Sequence, residues 1–283
     1  MTADKRVGVL GMGTMGRGIV EVFLTTGYDV RCVEIDQRVI TSSTDRLLKS
    51  LQNSFEKGRI KESPEGLLQR LTTSRDFDVL KGLPFAVEAI IEDLGEKQKT
   101  LATVEGILDP AAVIATNTSS LSITKLSRAL KDPSRLVGMH FFNPAPRMQL
   151  VEVVRGDMTS EQALRQCVDL AKELGKVPII VKDSPGFVVN RLLIPYLTEA
   201  GKLLDQQVAS AKDIDTCMKL GAGHPMGPFE LSDLIGIDVV IEIAKELHAE
   251  GVGGTDAKIP EAFKKLVEQG KLGRKTKGGF FDY

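Results

Sequence analysis

The chain has 283 residues, enough for one large or two ordinary domains with a sizeable core. Its 37 Lys and Arg balance 38 Asp and Glu, which leaves no electrostatic case for nucleic acid or a membrane surface. No apolar run approaches the roughly 18 residues needed to span a bilayer. Cys32, Cys167 and Cys217 lie far apart and form no CxxC pair. That argues against a disulfide framework or a metal site and fits a reducing compartment. The N-terminal residues run almost directly into a strand, with no room for a signal or transit peptide, so a cytoplasmic setting is expected.

Val7-Gly8-Val9-Leu10 reads as a short buried strand and is followed by Gly11-Met12-Gly13-Thr14-Met15-Gly16. A helix then runs through Ile19, Val20, Val22 and Phe23, Gly27 stops it, and a second strand over Tyr28 to Ile35 ends at Asp36. Strand, GxGxxG, helix, strand and an acid about twenty residues beyond the glycines make a dinucleotide-binding fingerprint. Gly11 permits the tight turn, Gly13 lets backbone approach a pyrophosphate, and Gly16 allows close helix–strand packing. The helix N-terminus, around Thr14 and Met15, offers amide donors and the positive end of its dipole. Asp36 is expected to accept from ribose hydroxyls, which favours NAD; Arg31 and Arg38 could each swing to a 2′-phosphate and keep NADP open.

Residues 38–70 are too long for a simple crossover and too amphipathic for a disordered one, and read as a helical hairpin. Its Ser50, Lys57 and Arg59 could reach over a cleft to an anionic ligand, or belong to a solvated face. Further strands run over Ala86 to Ile91, ending in Glu92-Asp93, and over Val113 to Ala115, ending in Thr116-Asn117-Thr118-Ser119-Ser120. Ligands of open α/β sheets bind beyond the carboxyl ends of strands, so this polar cluster is a candidate site. Ser122 and Thr124 read better as helix caps, which explains Asn117 and Ser119 less well.

The segment 137–154 sets His140 in one apolar run and Glu152 in the next, with the turn-forming Asn143-Pro144-Ala145-Pro146 between them. A lone carboxylate in such a strand must pair or take up a proton, and the nearest candidate partner is the His140 imidazole. A histidine held by a buried carboxylate is a general base with a fixed tautomer. The other reading makes His140 a packed core residue and Glu152 a solvent-facing group on an edge strand.

From Thr159 the pattern turns helical: a helix over 160–175, a short strand over 178–181, then a break at Asp183-Ser184-Pro185-Gly186. A strongly apolar helix over 187–204 carries Asn190, which must find partners if buried. Further helices are expected over 211–220, 229–248 and 260–270. The fold class is therefore α/β, with a Rossmann-type doubly wound sheet and a helical hairpin insertion over 1–183. An all-helical domain follows over 184–283, and its apolar faces suggest substrate binding and homodimerisation.

Together these pieces resemble the 3-hydroxyacyl-CoA dehydrogenase family, most closely its short bacterial 3-hydroxybutyryl-CoA branch. The resemblance covers essentially the whole chain and rests on GMGTMG, NTSSLSI, GMHFFNPAPRMQLVEVV, DSPGFVVNRLLIPYLTEA and LGAGHPMGPFELSDLIGID. It implies hydride exchange between NAD and an acyl-CoA substrate, with His140 as base and Glu152 orienting it. It further implies that Ser119 and Asn190 hold the reacting oxygens and that Asp36 takes the adenosine ribose. Glu92, Lys97 and Asn117 would line the cofactor and substrate cleft, Ser50 and Lys57 would contact coenzyme A, and Asn143 would join the substrate site. The family usually has Glu-Asn where this chain has Glu92-Asp93, so an extra negative charge could enter the cleft. Gulonate-type dehydrogenases share the architecture but would not need the hairpin. Relatives of the 6-phosphogluconate type use a helix lysine where this chain has Gly186. A non-catalytic nucleotide-sensing module would have no need to keep four costly polar groups.

Overall fold

The computed structural model describes residues 5–252 and 258–283. The chain divides into two compact units, Met1–Ser184 and Pro185–Tyr283. The strands of the first are β1 (Arg6–Leu10), β2 (Asp29–Val33), β3 (Leu71–Ser74), β4 (Phe85–Glu88), β5 (Val113–Thr116), β6 (Leu136–Phe141), β7 (Leu150–Arg155) and β8 (Val177–Lys182). Among the described residues they form one sheet in the order β3-β2-β1-β4-β5-β6-β7-β8. Pairing is parallel from β3 to β6, β7 runs antiparallel to β6, and β8 is parallel to β7. The helices are α1 (Thr14–Thr25), α2 (Gln37–Glu56), α3 (Pro64–Leu68), α4 (Leu94–Glu105), α5 (Ile123–Ser127) and α6 (Glu161–Glu173).

The first six strands have the doubly wound order whose direction reverses between β1 and β4, the place where such sheets bind ligands. Central parallel strands are covered on both faces and need unbroken apolar runs, which Val7 to Leu10 and Val113 to Ala115 supply. β3 is different: its Leu-Thr-Thr-Ser sits at the sheet edge, half-exposed, and has too little apolar content to stand out as a strand. It begins directly after the region read as a hairpin. That hairpin is unequal, with a 20-residue first arm and a five-residue second arm. β4 stops at Glu88, three residues before the expected end, which places that carboxylate rather than Ile91 at the strand terminus. Cys32 and Cys167 are packed into the core as free thiols; burial pushes the Cys32 thiol up to about 12, so it stays protonated.

The second unit contains α7 (Val189–Asp205), α8 (Ala211–Gly221), α9 (Pro228–Ile235), α10 (Ile237–Ala249) and α11 (Glu261–Glu268). The single helix expected over 229–248 is two helices, because Gly236 at φ +107° cannot continue a right-handed turn. The Phe280 ring packs 4.5 Å from Phe229 and 5.0 Å from Phe263, centroid to centroid, at the core of this unit. Buried Asp233 accepts from the Phe280 and Phe281 N–H groups and the Tyr283 hydroxyl, which ties the C-terminal segment to α9. Among the described residues no helix is long and apolar enough to cross a membrane.

Candidate active site

The turn after β1 is built for a phosphate. Gly11 has φ +89°, and a Cβ there would lie 2.6 Å from the Ala89 carbonyl oxygen. A Cβ on Gly16 would lie 2.0 Å from the Gly11 carbonyl oxygen, so α1 packs onto the turn only because both are glycine. A Cβ on Gly13, by contrast, would meet nothing within 4 Å. Gly13 is the N-cap of α1 and provides no side-chain cap, so the amides that begin with Thr14 and Met15 face an open approach. These features fit the pyrophosphate of a dinucleotide.

Asp36 occupies a different place from the one expected. It is the N-cap of α2, where its carboxylate accepts from the Arg38 N–H at 2.8 Å and pairs with the Arg38 guanidinium at 2.8 Å. The Arg38 side chain and N–H hold its carboxyl down to about 2. Arg38 is thereby committed to Asp36, and Arg31 donates to the Val79 carbonyl. The acid that meets the glycine turn is Glu34, immediately after β2: the Met12 N–H donates to its Oε2 at 2.9 Å and the Asp36 N–H to its Oε1 at 3.1 Å. Residues 34 and 36 both satisfy a spacing of about twenty from the glycines. The shorter extent of β2 separates them.

At the ends of β4 and β5 lies a connected polar network. Lys97, on α4, is 1% exposed and its Nζ donates to Glu88 Oε1 at 2.6 Å, with Glu92 at 3.2 Å. Glu88, fully buried, also accepts from the Ile90 N–H at 2.7 Å and the Thr116 hydroxyl at 2.6 Å. A buried ion pair persists only when its remaining donors and acceptors are met, and here they are. Sequence reasoning missed Glu88; an acid ending an apolar strand nine residues before a lysine was the available signal. Lys97 is thus placed under the surface, tied to both carboxylates. Glu92 in turn accepts from the Ser119 N–H at 2.8 Å and from the Thr118 hydroxyl. Burial alone would raise the Glu92 carboxyl, but the Lys97 charge and these donors outweigh it and hold it below the usual range. Its contribution to stability is therefore complete above the ordinary carboxylate range and is lost as pH falls through the lowered value. Asp93 caps α4 by accepting from the Glu96 N–H at 2.9 Å, a task that an asparagine side chain also performs. Asn117 Oδ1 accepts from the Phe141 N–H at 2.9 Å and ties β5 to β6. Ser122 caps α5, as expected, and also donates to Asp183 at 2.7 Å.

His140 and Glu152 stand directly opposite each other in the β6–β7 ladder. Nδ1 and Glu152 Oε2 are 2.8 Å apart, and both side chains are buried. The edge-strand reading of Glu152 fails because β8 covers the far side of β7 and leaves the residue 1% exposed. The Phe142 ring packs 4.4 Å from the imidazole. Ser50, Lys57 and Asn143 line one cleft of about 990 Å³ in the first unit, together with Thr14 of the glycine turn. Asn190 is buried at the start of α7 in the second unit. Gly186, where related dehydrogenases carry a lysine, has φ +73°, and a Cβ there would lie 2.6 Å from Leu247. Among the described residues no group of three or more His, Cys, Asp or Glu gathers as a metal site.

Residues 6–184 match the 3-hydroxyacyl-CoA dehydrogenase NAD binding domain, and residues 186–283 match the C-terminal domain of the same family. The chain is 42% identical to 3-hydroxybutyryl-CoA dehydrogenase of Clostridioides difficile, over 98% of this chain and 99% of that protein. It is 42% identical to the mitochondrial hydroxyacyl-coenzyme A dehydrogenase of Sus scrofa, over 99% of this chain and 91% of that protein. The crystal structure of (S)-3-hydroxybutyryl-CoA dehydrogenase from Ralstonia eutropha superimposes with a TM-score of 0.91 at 39% identity, covering 99% of both chains. With both domains matched in order, the chain belongs to the 3-hydroxyacyl-CoA dehydrogenase family.

Proposed function

We propose that this protein is an NAD-dependent 3-hydroxyacyl-CoA dehydrogenase that interconverts (S)-3-hydroxybutyryl-CoA and acetoacetyl-CoA, in fatty acid or butanoate metabolism. The observation that carries this reading is topological. The glycine turn follows β1, Glu88 ends β4 with Glu92 just beyond it, Ser119 follows β5, and His140 is the penultimate residue of β6, so the parallel strands β1, β4, β5 and β6 present them at their carboxyl ends. Bound NAD would supply the hydride acceptor at its nicotinamide. With Nδ1 committed to Glu152, the His140 Nε2 takes the proton of the 3-hydroxyl on oxidation and returns it on reduction. Glu152 fixes the ring and balances the imidazolium charge. Ser119, with its backbone N–H anchored on Glu92, orients the substrate oxygen, and the family resemblance assigns Asn190 the same task. Lys97 and Glu88 are positioning residues that act through Glu92. A cytoplasmic homodimer, paired through the second unit, completes the reading; exposed Leu192, Leu220 and Leu234 support it.

Initial rates with acetoacetyl-CoA, a longer 3-ketoacyl-CoA and free acetoacetate, each with NADH and NADPH, test it. Acetoacetyl-CoA with NADH should be fastest. Preference for free acetoacetate would move the chain to the dehydrogenases of free hydroxy acids. The ribose role belongs to Glu34 in this reading, since its carboxylate stands at the glycine turn while Asp36 is bound to Arg38. Glu34→Ala should raise the KM for NAD by about 10- to 100-fold, the worth of a hydrogen bond to a charged group. Asp36→Ala should change it far less. The opposite order of effects would return the role to Asp36.

A further inference from the structure

The cleft that holds Ser50 and Lys57 carries an excess of positive charge that the cofactor does not explain. Seven cationic side chains line it against two carboxylates, Glu21 and Glu62. Glu62 is committed to Arg70 at 2.7 Å, and Lys176 is committed to the carbonyls of Ala145 and Met148 at 2.6 and 2.9 Å. Arg17 projects from α1, Arg46 from α2, and Arg147 from the turn after β6, so three separate elements point guanidinium groups at one space. At its centre Glu21 is 5% exposed, and its Oε1 accepts from the Ser50 hydroxyl at 3.0 Å. Burial pushes the Glu21 carboxyl up, against the Ser50 hydrogen bond and the charges of Arg17 and Arg147. Burial and then the like charge of Arg46 push the Arg17 guanidinium down, and the Glu21 carboxylate opposes them only in part.

Resting on the acyl-CoA reading above, we propose that Arg17, Arg46 and Arg147 join Lys57 as the wall that reads the phosphates of the coenzyme A nucleotide, and that Glu21 is the positioning residue for Ser50. The pyrophosphate of NAD is served by the α1 N-terminus, so these cations answer to a second polyanion. Guanidinium groups suit that task because they bind phosphate bidentately and keep their charge. The cleft, at about 990 Å³, is at the upper end of small-molecule sites and can accommodate a nucleotide. Glu21 keeps the serine hydroxyl aimed and spaces Arg17 from Arg147, which would otherwise repel.

The test compares acetoacetyl-CoA with acetoacetyl-pantetheine, which presents the same thioester and no phosphate. In the unmodified protein the KM for the CoA thioester is lower and rises with ionic strength. Arg17→Gln, Arg46→Gln and Arg147→Gln should each narrow the KM ratio between the two thioesters about tenfold, the loss of one charge-assisted contact. Glu21→Ala should narrow it too, and Glu21→Gln should restore most of it, because the amide oxygen still accepts from Ser50. Turnover of acetoacetyl-pantetheine by each variant reports that it has folded. If the arginine variants keep the ratio of the unmodified protein, the inference is overturned and the acyl-CoA reading stands. If the unmodified protein reduces neither thioester, that reading falls and the inference falls with it.

Discussion

Replacing His140 with alanine is expected to lower turnover by about 10²–10⁴ on acetoacetyl-CoA, the range of a lost general acid or base. The expectation rests on register. A β-ladder places opposed side chains on the same face within about 5.5 Å, so His140 and Glu152 meet because the 143–149 turn sets that pairing. Their 2.8 Å contact fixes the ring through Nδ1, and in the proposed reaction the proton passes through Nε2. Glu152→Gln preserves the size but removes the counter-charge and should lower turnover in the same direction. The measurement is saturating-substrate turnover beside cofactor affinity, titrated with NADH through the fluorescence of its reduced nicotinamide. Lost turnover with retained cofactor affinity is the expected pair of results. Near-normal turnover in His140→Ala would remove the residue from the chemistry and leave it as core packing.

Lys97→Met should destabilise the first unit by about 3–5 kcal/mol, the cost of leaving a buried charge without its partner. Lys97 and Glu88 are 1% and 0% exposed, and Glu88 would be left with only the Ile90 N–H and the Thr116 hydroxyl. Denaturant unfolding gives the free energy, and the double variant with Glu88→Gln gives the coupling. The double variant should recover a large share of the loss, because neither charge then remains buried. A single variant within 1 kcal/mol of the parent, or a double variant as unstable as the single, would mean that water or another group already compensates Glu88. Activity should fall beyond the stability loss, since Lys97 also fixes Glu92, on which the Ser119 loop is hung.

Much of this arrangement was legible in the residues. The glycine turn declares itself because few other solutions allow a helix to pack onto a strand end at the distance Gly16 permits. His140 and Glu152 stood out because polar groups in apolar runs are costly and so demand a reason. The edge strand β3 was invisible because half-exposed Thr and Ser read like a loop. Glu34 and Asp36 could not be told apart by spacing, since two residues in β geometry lie on the same face. Gly236 was passed over because the apolar pattern continues on both sides of it, and only its positive φ divides α9 from α10.

By itself, the amino-acid sequence determined the class of the chain: a dinucleotide-binding sheet followed by helices, with a histidine and a carboxylate on neighbouring strands. Periodicity, glycine sterics and the cost of buried charge are local properties, and they are written into short segments. Tertiary structure alone decided which acid meets the glycine turn, which buried carboxylate holds Lys97, and that Glu21 lies among arginines from three elements. Those outcomes depend on where strands stop and on which helix faces come together, and no short segment contains that information.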